Sequence, residues 1–233
     1  MNAPMRSFIV HMSTATARRP NVDKLMGALP GAEVMEAARG AGHVARPGDV
    51  HAPRYPFAME PGEIGCFLSH RACWQAIVDR NLPGALIAED DLSLGAAWSD
   101  ALALVQGEAR EDRFIRLPAK DRETGPEVAR HGAANLFLPR VIGLQTVFQY
   151  VGRDAAARLL RASGTIDRPV DTFLQMHWVH GQTIHTILPN GVTELTQALG
   201  GSTIQKKSRA SLGREWRRFV YRRAVARQPQ GRP

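Results

Sequence analysis

Two cysteines, Cys66 and Cys73, are all that 233 residues contain, too few for a disulfide framework and in keeping with a reducing compartment. No apolar run approaches the ~18 residues of a membrane span. The short run before His11 in MNAPMRSFIVHM does not make a signal-peptide core. A cytoplasmic chain is therefore expected. Internal repeats and recognised nucleic-acid motifs are also missing. What remains is an ordinary globular composition, 44% hydrophobic and 22% charged, with enough apolar material for a core. The length suits one domain, since single cores grow to about 250 residues.

The body lacks the basic excess that the net charge of +8 suggests. Ten of the 30 Lys and Arg lie at or beyond Lys206, against one acid, Glu215; positions 1–204 keep 20 basic and 21 acidic residues. Two parts follow, a domain over 1–204 and a basic tail over 205–233. In the tail, Leu212, Trp216, Phe219 and Val220 share a helical stripe among arginines. Two readings stand: a helix lying in an anionic membrane interface, or a stripe docked on the body with solvated arginines.

Along the body, strand-type runs alternate with helical periodicity. Strands are expected at 7–12, 32–37, 85–88, 113–117, 143–151 and 182–188, with helices over 22–29, 61–80, 98–106 and 153–162. Residues 169–181 are ambiguous between the two. Residues 38–60 form a long loop rich in Gly, Pro, Arg and His. This alternation predicts an α/β fold with a mostly parallel central sheet flanked by helices, and such sheets bind ligands beyond the carboxyl ends of their strands.

One strand ends there in three acids, Glu89, Asp90 and Asp91. Alternation puts Glu89 and Asp91 on one side and Asp90 on the other. Two converging, shielded carboxylates repel unless a cation joins them, and Mg²⁺ or Mn²⁺ would also bind substrate phosphates. The plain alternative is a solvated acidic turn. Cys66, His70 and Cys73 fall at i, i+4 and i+7 on one helix face. That spacing suits zinc and equally suits a face packed on a sheet. His177, His180 and His185 are further candidate metal ligands.

The whole stretch GEIGCFLSHRACWQAIVDRNLPGALIAEDD (62–91) resembles the signature block of glycosyltransferase family 25, which includes bacterial lipooligosaccharide galactosyltransferases and animal collagen galactosyltransferases. Looser similarity runs over about 7–190. FIVHM and Ala17-Arg18-Arg19 stand where the family has Ile-Asn-Leu and Asp-Arg-Arg. Gln145-Thr146 and Tyr150 stand where it has Gly-Thr and Tyr, and RPVDTFL is similar to a Pro-Val-Asp segment.

The resemblance implies a GT-A type nucleotide-sugar-binding fold and a UDP-hexose donor, with inversion at the anomeric carbon. It implies donor contacts from Arg18, Arg19, Ser69, His70 and Glu89, and a divalent metal on Asp91 and Glu89. Asp171, in the family-like segment, is the nominated catalytic base, with Asp90 and Glu63 as rivals. The expected activity is transfer of galactose or glucose to a lipid-linked lipopolysaccharide or lipooligosaccharide core glycan. The enzyme is expected to be peripheral on the inner face of the cytoplasmic membrane. The rivals are a catalytically decayed lipopolysaccharide-binding protein and a metal-dependent phosphotransferase.

Overall fold

The computed structural model describes residues 4–40, 51–195 and 212–231. Strand β1 (Arg6–His11) leads through a 3-10 turn at Thr16–Arg18 into α1 (Arg19–Ala28), with Pro in its first turn, and β2 (Ala32–Glu36) returns beside β1. Next come α2 (Pro61–Asp79), β3 (Gly84–Glu89), β4 (Leu92–Leu94), α3 (Trp98–Glu108) and β5 (Phe114–Arg116). A hairpin of β6 (Glu127–His131) and β7 (Ala134–Phe137) precedes β8 (Phe148–Gly152) and α4 (Arg153–Ala162). The ambiguous stretch folds as two short helices, α5 (Val170–Leu174) and α6 (His177–His180). Strands β9 (Ile184–Leu188) and β10 (Val192–Glu194) and the tail helix α7 (Leu212–Ala226) complete the chain.

Eight strands make one sheet in the order β2-β1-β3-β8-β5-β9-β7-β6, while β10 pairs with β4 apart from it. The sheet is parallel across β2, β1 and β3 and again between β5 and β9. It is antiparallel where β8 joins β3 and β5, and where β7 joins β9 and β6. The expected α/β layering forms, therefore, with a mixed sheet. Of the expected strand at 143–151 only the second half joins it.

Period-two alternation divides the core between the two faces. Phe8, Ala85 and Ile87 pack with Phe67, Trp74 and Ile77 of α2 and Leu159 of α4. Ile9, Leu86 and Ala88 pack with Val22 and Leu25 of α1 and Leu104 of α3. Both faces of β3 are covered, and its segment from Gly84 to Ala88 is buried throughout, as a near-continuous apolar run requires. Helix α2 starts at a capping box in which Glu60 and Glu63 satisfy each other's backbone N–H groups.

The tail helix docks on the body through residues outside the expected stripe. Tyr221 and Val225 are buried, whereas Trp216, Phe219 and Val220 are 66%, 49% and 48% exposed. The Tyr221 ring meets Tyr55 edge-on at 5.6 Å, and its hydroxyl accepts from Arg168 at 3.0 Å. Arg168, fully buried and paired with Asp167, also donates to the carbonyls of His51 and Pro53. Beyond the helix, the Gln230 side chain bonds both the N–H and the C=O of Ile184. No described helix is long and apolar enough to cross a membrane.

Candidate functional site

A cavity of about 630 Å³ opens beyond the carboxyl ends of β1 and β3, between the loop at 37–40 and the first turns of α2. Two glycines let these walls touch. A Cβ on Gly65 would stand 2.6 Å from the Ala38 carbonyl oxygen, and one on Gly40 would fall onto the Pro61 carbonyl. Ser69 reinforces the seam, accepting from the Ala38 N–H at 2.9 Å and donating to the Gly65 carbonyl at 2.8 Å. The Gly-Glu-Ile-Gly-Cys-Phe-Leu-Ser block thus reads as a helix start that a neighbouring loop must approach closely. Residues 41–50 of the long loop expected over 38–60 lie outside the described residues.

The three acids separate at the strand end. Glu89 continues the parity of Ala85 and Ile87 toward α2, where it accepts from the Thr146 hydroxyl at 2.9 Å and lies 3.5 Å from His70 Nε2. Asp90 takes the other face, with one oxygen 2.7 Å from His11 Nδ1 and the other accepting from Arg18 at 2.6 Å. The convergence expected of Glu89 and Asp91 does not form. Residues 90–91 are a turn, not extended strand, and Asp91 joins Asp90 at Arg18, 3.4 Å from the same guanidinium. Asn21 of α1 clamps that turn by donating to the carbonyls of Asp90 and Leu92.

These surroundings set the electrostatics. Burial pushes the Glu89 carboxyl up, but the facing His70 imidazole, then Thr146 and Arg18, outweigh it and hold Glu89 below its usual value. Burial first, then the negative charges of Glu89 and Asp171, drive the Cys66 thiol well above its usual value. Asp171, half-buried at the start of α5, accepts from the N–H groups of Thr172 (2.7 Å) and Gln145 (3.3 Å). Burial nevertheless raises its carboxyl. Glu63 is raised by burial in the same way.

Arg18, Ser69, His70, Glu89 and Asp90 line the cavity together. Arg19 does not; as the first residue of α1 it points outward and pairs with Asp23, both 59% exposed. With its two oxygens engaged by His11 and Arg18, Asp90 is badly placed to act as a base. Cys73 packs in the core beside Phe8 and Ile77, so the Cys66–His70–Cys73 grouping does not assemble. The later histidines are occupied elsewhere: His177 with the Gln228 carbonyl, His180 with that of Leu174, and His185 with Arg113. Sequence reasoning missed His11 and Asn21, whose partners lie 79 and 69 residues away with no local signal.

The donor set for a divalent ion lies on the α2 side. Cys66, His70 and Glu89 each offer a ligand atom, all within 4.8 Å of one another, and His70 Nε2 is buried without a hydrogen bond. Glu89 fits such an ion. At Asp90 and Asp91 the arginine already supplies positive charge.

The family model described as "Glycosyltransferase family 25 (LPS biosynthesis protein)" matches residues 5–174. The chain is 33% identical over 123 residues to the human inactive glycosyltransferase 25 family member 3, covering 50% of this chain and 20% of that one. It is 31% identical over 137 residues to human procollagen galactosyltransferase 2, covering 52% and 21%. It thus spans about a fifth of the curated relatives it matches. Among solved structures, A197 from STIV covers 89% of this chain at a TM-score of 0.45 and 8% identity, a likeness too loose to argue from.

Proposed function

Since the chain belongs to glycosyltransferase family 25, we propose that its cavity takes a UDP-hexose and that it passes galactose or glucose, with inversion, to a lipopolysaccharide or lipooligosaccharide core glycan. Family membership supports glycosyl transfer in general. The observation that carries the finer reading is the cavity itself. It has the size of a small-ligand site, lies where open α/β sheets take ligands, and brings Arg18, Glu89 and Asp90 to one rim.

Departure of UDP builds negative charge on the diphosphate. Arg18, held by Asp90 and Asp91, is pre-aimed to meet it, and preorganised donors of this kind lower the barrier without reorganising during the step. A divalent ion held by Glu89 would add Lewis-acid stabilisation of the same charge; Asp91, the other expected ligand, stands at Arg18 instead. Asp171 accepts the proton of the acceptor hydroxyl; its raised pKa brings it nearer the working range of a general base. The phosphotransferase alternative needs two metal clusters, and the described residues offer a single three-residue group. The catalytically decayed reading keeps support from the inactive human relative.

The exposed Trp216, Phe219 and Val220, flanked by Arg217, Arg222 and Arg223, support an inner-leaflet address. An apolar stripe edged with cations suits an anionic lipid surface. Replacing Trp216 and Phe219 by Ala should weaken binding to anionic phospholipid vesicles; equal binding would refute it.

The deciding experiment is calorimetric titration of UDP with and without Mn²⁺, on the native chain and on Arg18→Lys and Asp91→Asn, followed by UDP-sugar turnover. Saturable UDP binding weakened in Arg18→Lys, with turnover of a UDP-hexose, is expected. Binding without turnover of any sugar donor would move the chain to the decayed reading. Absence of UDP binding would overturn the donor assignment.

A further inference from the structure

We propose that Cys66, His70 and Glu89 form a three-ligand site for a borderline transition-metal ion of the Zn²⁺ class, with its fourth position open to the cavity. Cys66 and His70 sit one helical turn apart on α2, and Glu89 meets them from the end of β3. Their sulfur, nitrogen and oxygen atoms lie within 4.8 Å of one another, and His70 Nε2 is 3.5 Å from Glu89 Oε1. Zinc bonds of about 2.0–2.3 Å in a tetrahedron separate neighbouring ligand atoms by roughly 3.3–3.8 Å. A small contraction closes the set.

A second, independent observation is the imidazole itself. His70 is 1% exposed, yet its Nε2 makes no hydrogen bond, which is unfavourable for a buried polar atom. The nitrogen faces the Glu89 carboxylate across a gap longer than a good hydrogen bond. Supporting groups are in place. The Gln149 amide lies 2.9 Å from His70 Nδ1, and its own oxygen is unbonded. Turned end for end, that amide oxygen would accept a hydrogen bond from Nδ1–H and leave the Nε2 lone pair for the ion. Thr146 steadies Glu89 from behind.

The ligand chemistry selects the ion. Thiolate and imidazole with one carboxylate suit Zn²⁺ or Co²⁺, whereas Mg²⁺ demands an all-oxygen shell. On binding, the Cys66 S–H bond breaks, its electron pair goes to the metal and the proton to solvent. Three protein ligands with one open position is the pattern of a reactive rather than a structural zinc site. That position would take water or a phosphate oxygen.

The proposal does not rest on glycosyl transfer, because binding is read without nucleotide. The chelator-stripped full chain is titrated with Co²⁺, then competed with Zn²⁺, and circular dichroism confirms that each variant is folded. A thiolate-to-cobalt charge-transfer band should grow to one equivalent and be displaced by Zn²⁺. It should vanish in Cys66→Ser and persist in Cys73→Ala. In His70→Gln, zinc affinity should fall by about tenfold or more. A band retained in Cys66→Ser, undiminished zinc affinity in His70→Gln, or binding of Mn²⁺ alone with no cobalt band would each overturn the site. UDP binding measured on the same samples fails or succeeds separately.

Discussion

The two sides of the β3 end place acids only one residue apart in opposite settings. Toward α1, Asp90 and Asp91 share the Arg18 guanidinium, and Asp90 also meets His11. Toward α2, Glu89 meets a hydroxyl, an imidazole and a thiol, none of them permanently charged. A run of like charge is thus split at the strand end into one part that shares a permanent cation and another that gains from an arriving one.

The comparison breaks most sharply at Arg18. Removing it in Arg18→Ala leaves two buried carboxylates short of their main cation and should cost about 3–5 kcal/mol in urea unfolding, with Arg18→Lys restoring part; a loss under about 1 kcal/mol would undo the contrast. Glu89→Gln should do the reverse, changing stability by about 1 kcal/mol or less while slowing transfer about 100-fold, or about 2.7 kcal/mol. Equal stability losses in the two variants would show that the sides do not differ.

A pH titration sharpens the contrast within the α2 side. The folded-state pKa of Asp171 is raised, so kcat should fall as pH drops through that value, and Asp171→Asn should lose most of its turnover together with this limb. Glu89 has the opposite sign. Its depressed folded value adds stability above its ordinary 4.5 that is lost as pH falls through the lower folded value. The acid decline of Tm should therefore be shallower in Glu89→Gln. A parallel decline would remove Glu89 from the acid response.

The smallest effect is at Gln145, which carries the Asp171 contact with its backbone at φ 90°, a region L side chains avoid. The resembling family has glycine there. Gln145→Gly should raise stability by about 1 kcal/mol, the relieved strain exceeding the entropy that glycine adds to the unfolded chain. A destabilised variant would mean that the Gln145–Glu194 hydrogen bond outweighs the strain.

Legibility along the chain followed how local the information was. The units from β1 to β3 were readable because their apolar periodicities, Pro61 and the Pro30-Gly31 stop are written within each segment. The β6–β7 hairpin was not: β6 is solvated on both faces and has no apolar alternation to read. In the site, Arg18, Ser69, His70 and Glu89, named through the resemblance, line the cavity. Arg19 was misplaced because neighbouring residues at a helix start point in different directions. Asp91 was misplaced because the strand stops at Glu89, a boundary set by Asn21 from another element. The β4–β10 pairing joins residues about a hundred positions apart and leaves no local mark.

Arg168 ties three distant pieces of chain into one knot: the segment at 51–53, α5 through its flanking turn, and the tail through Tyr221. Cutting the tail away would therefore be amputation, not subtraction. It would strip a buried guanidinium of a partner, uncover Tyr55, and take Gln230 from the backbone of β9. A shortened chain that loses activity says nothing about what the exposed stripe touches. The stripe has to be edited in place, side chain by side chain, with the knot left tied.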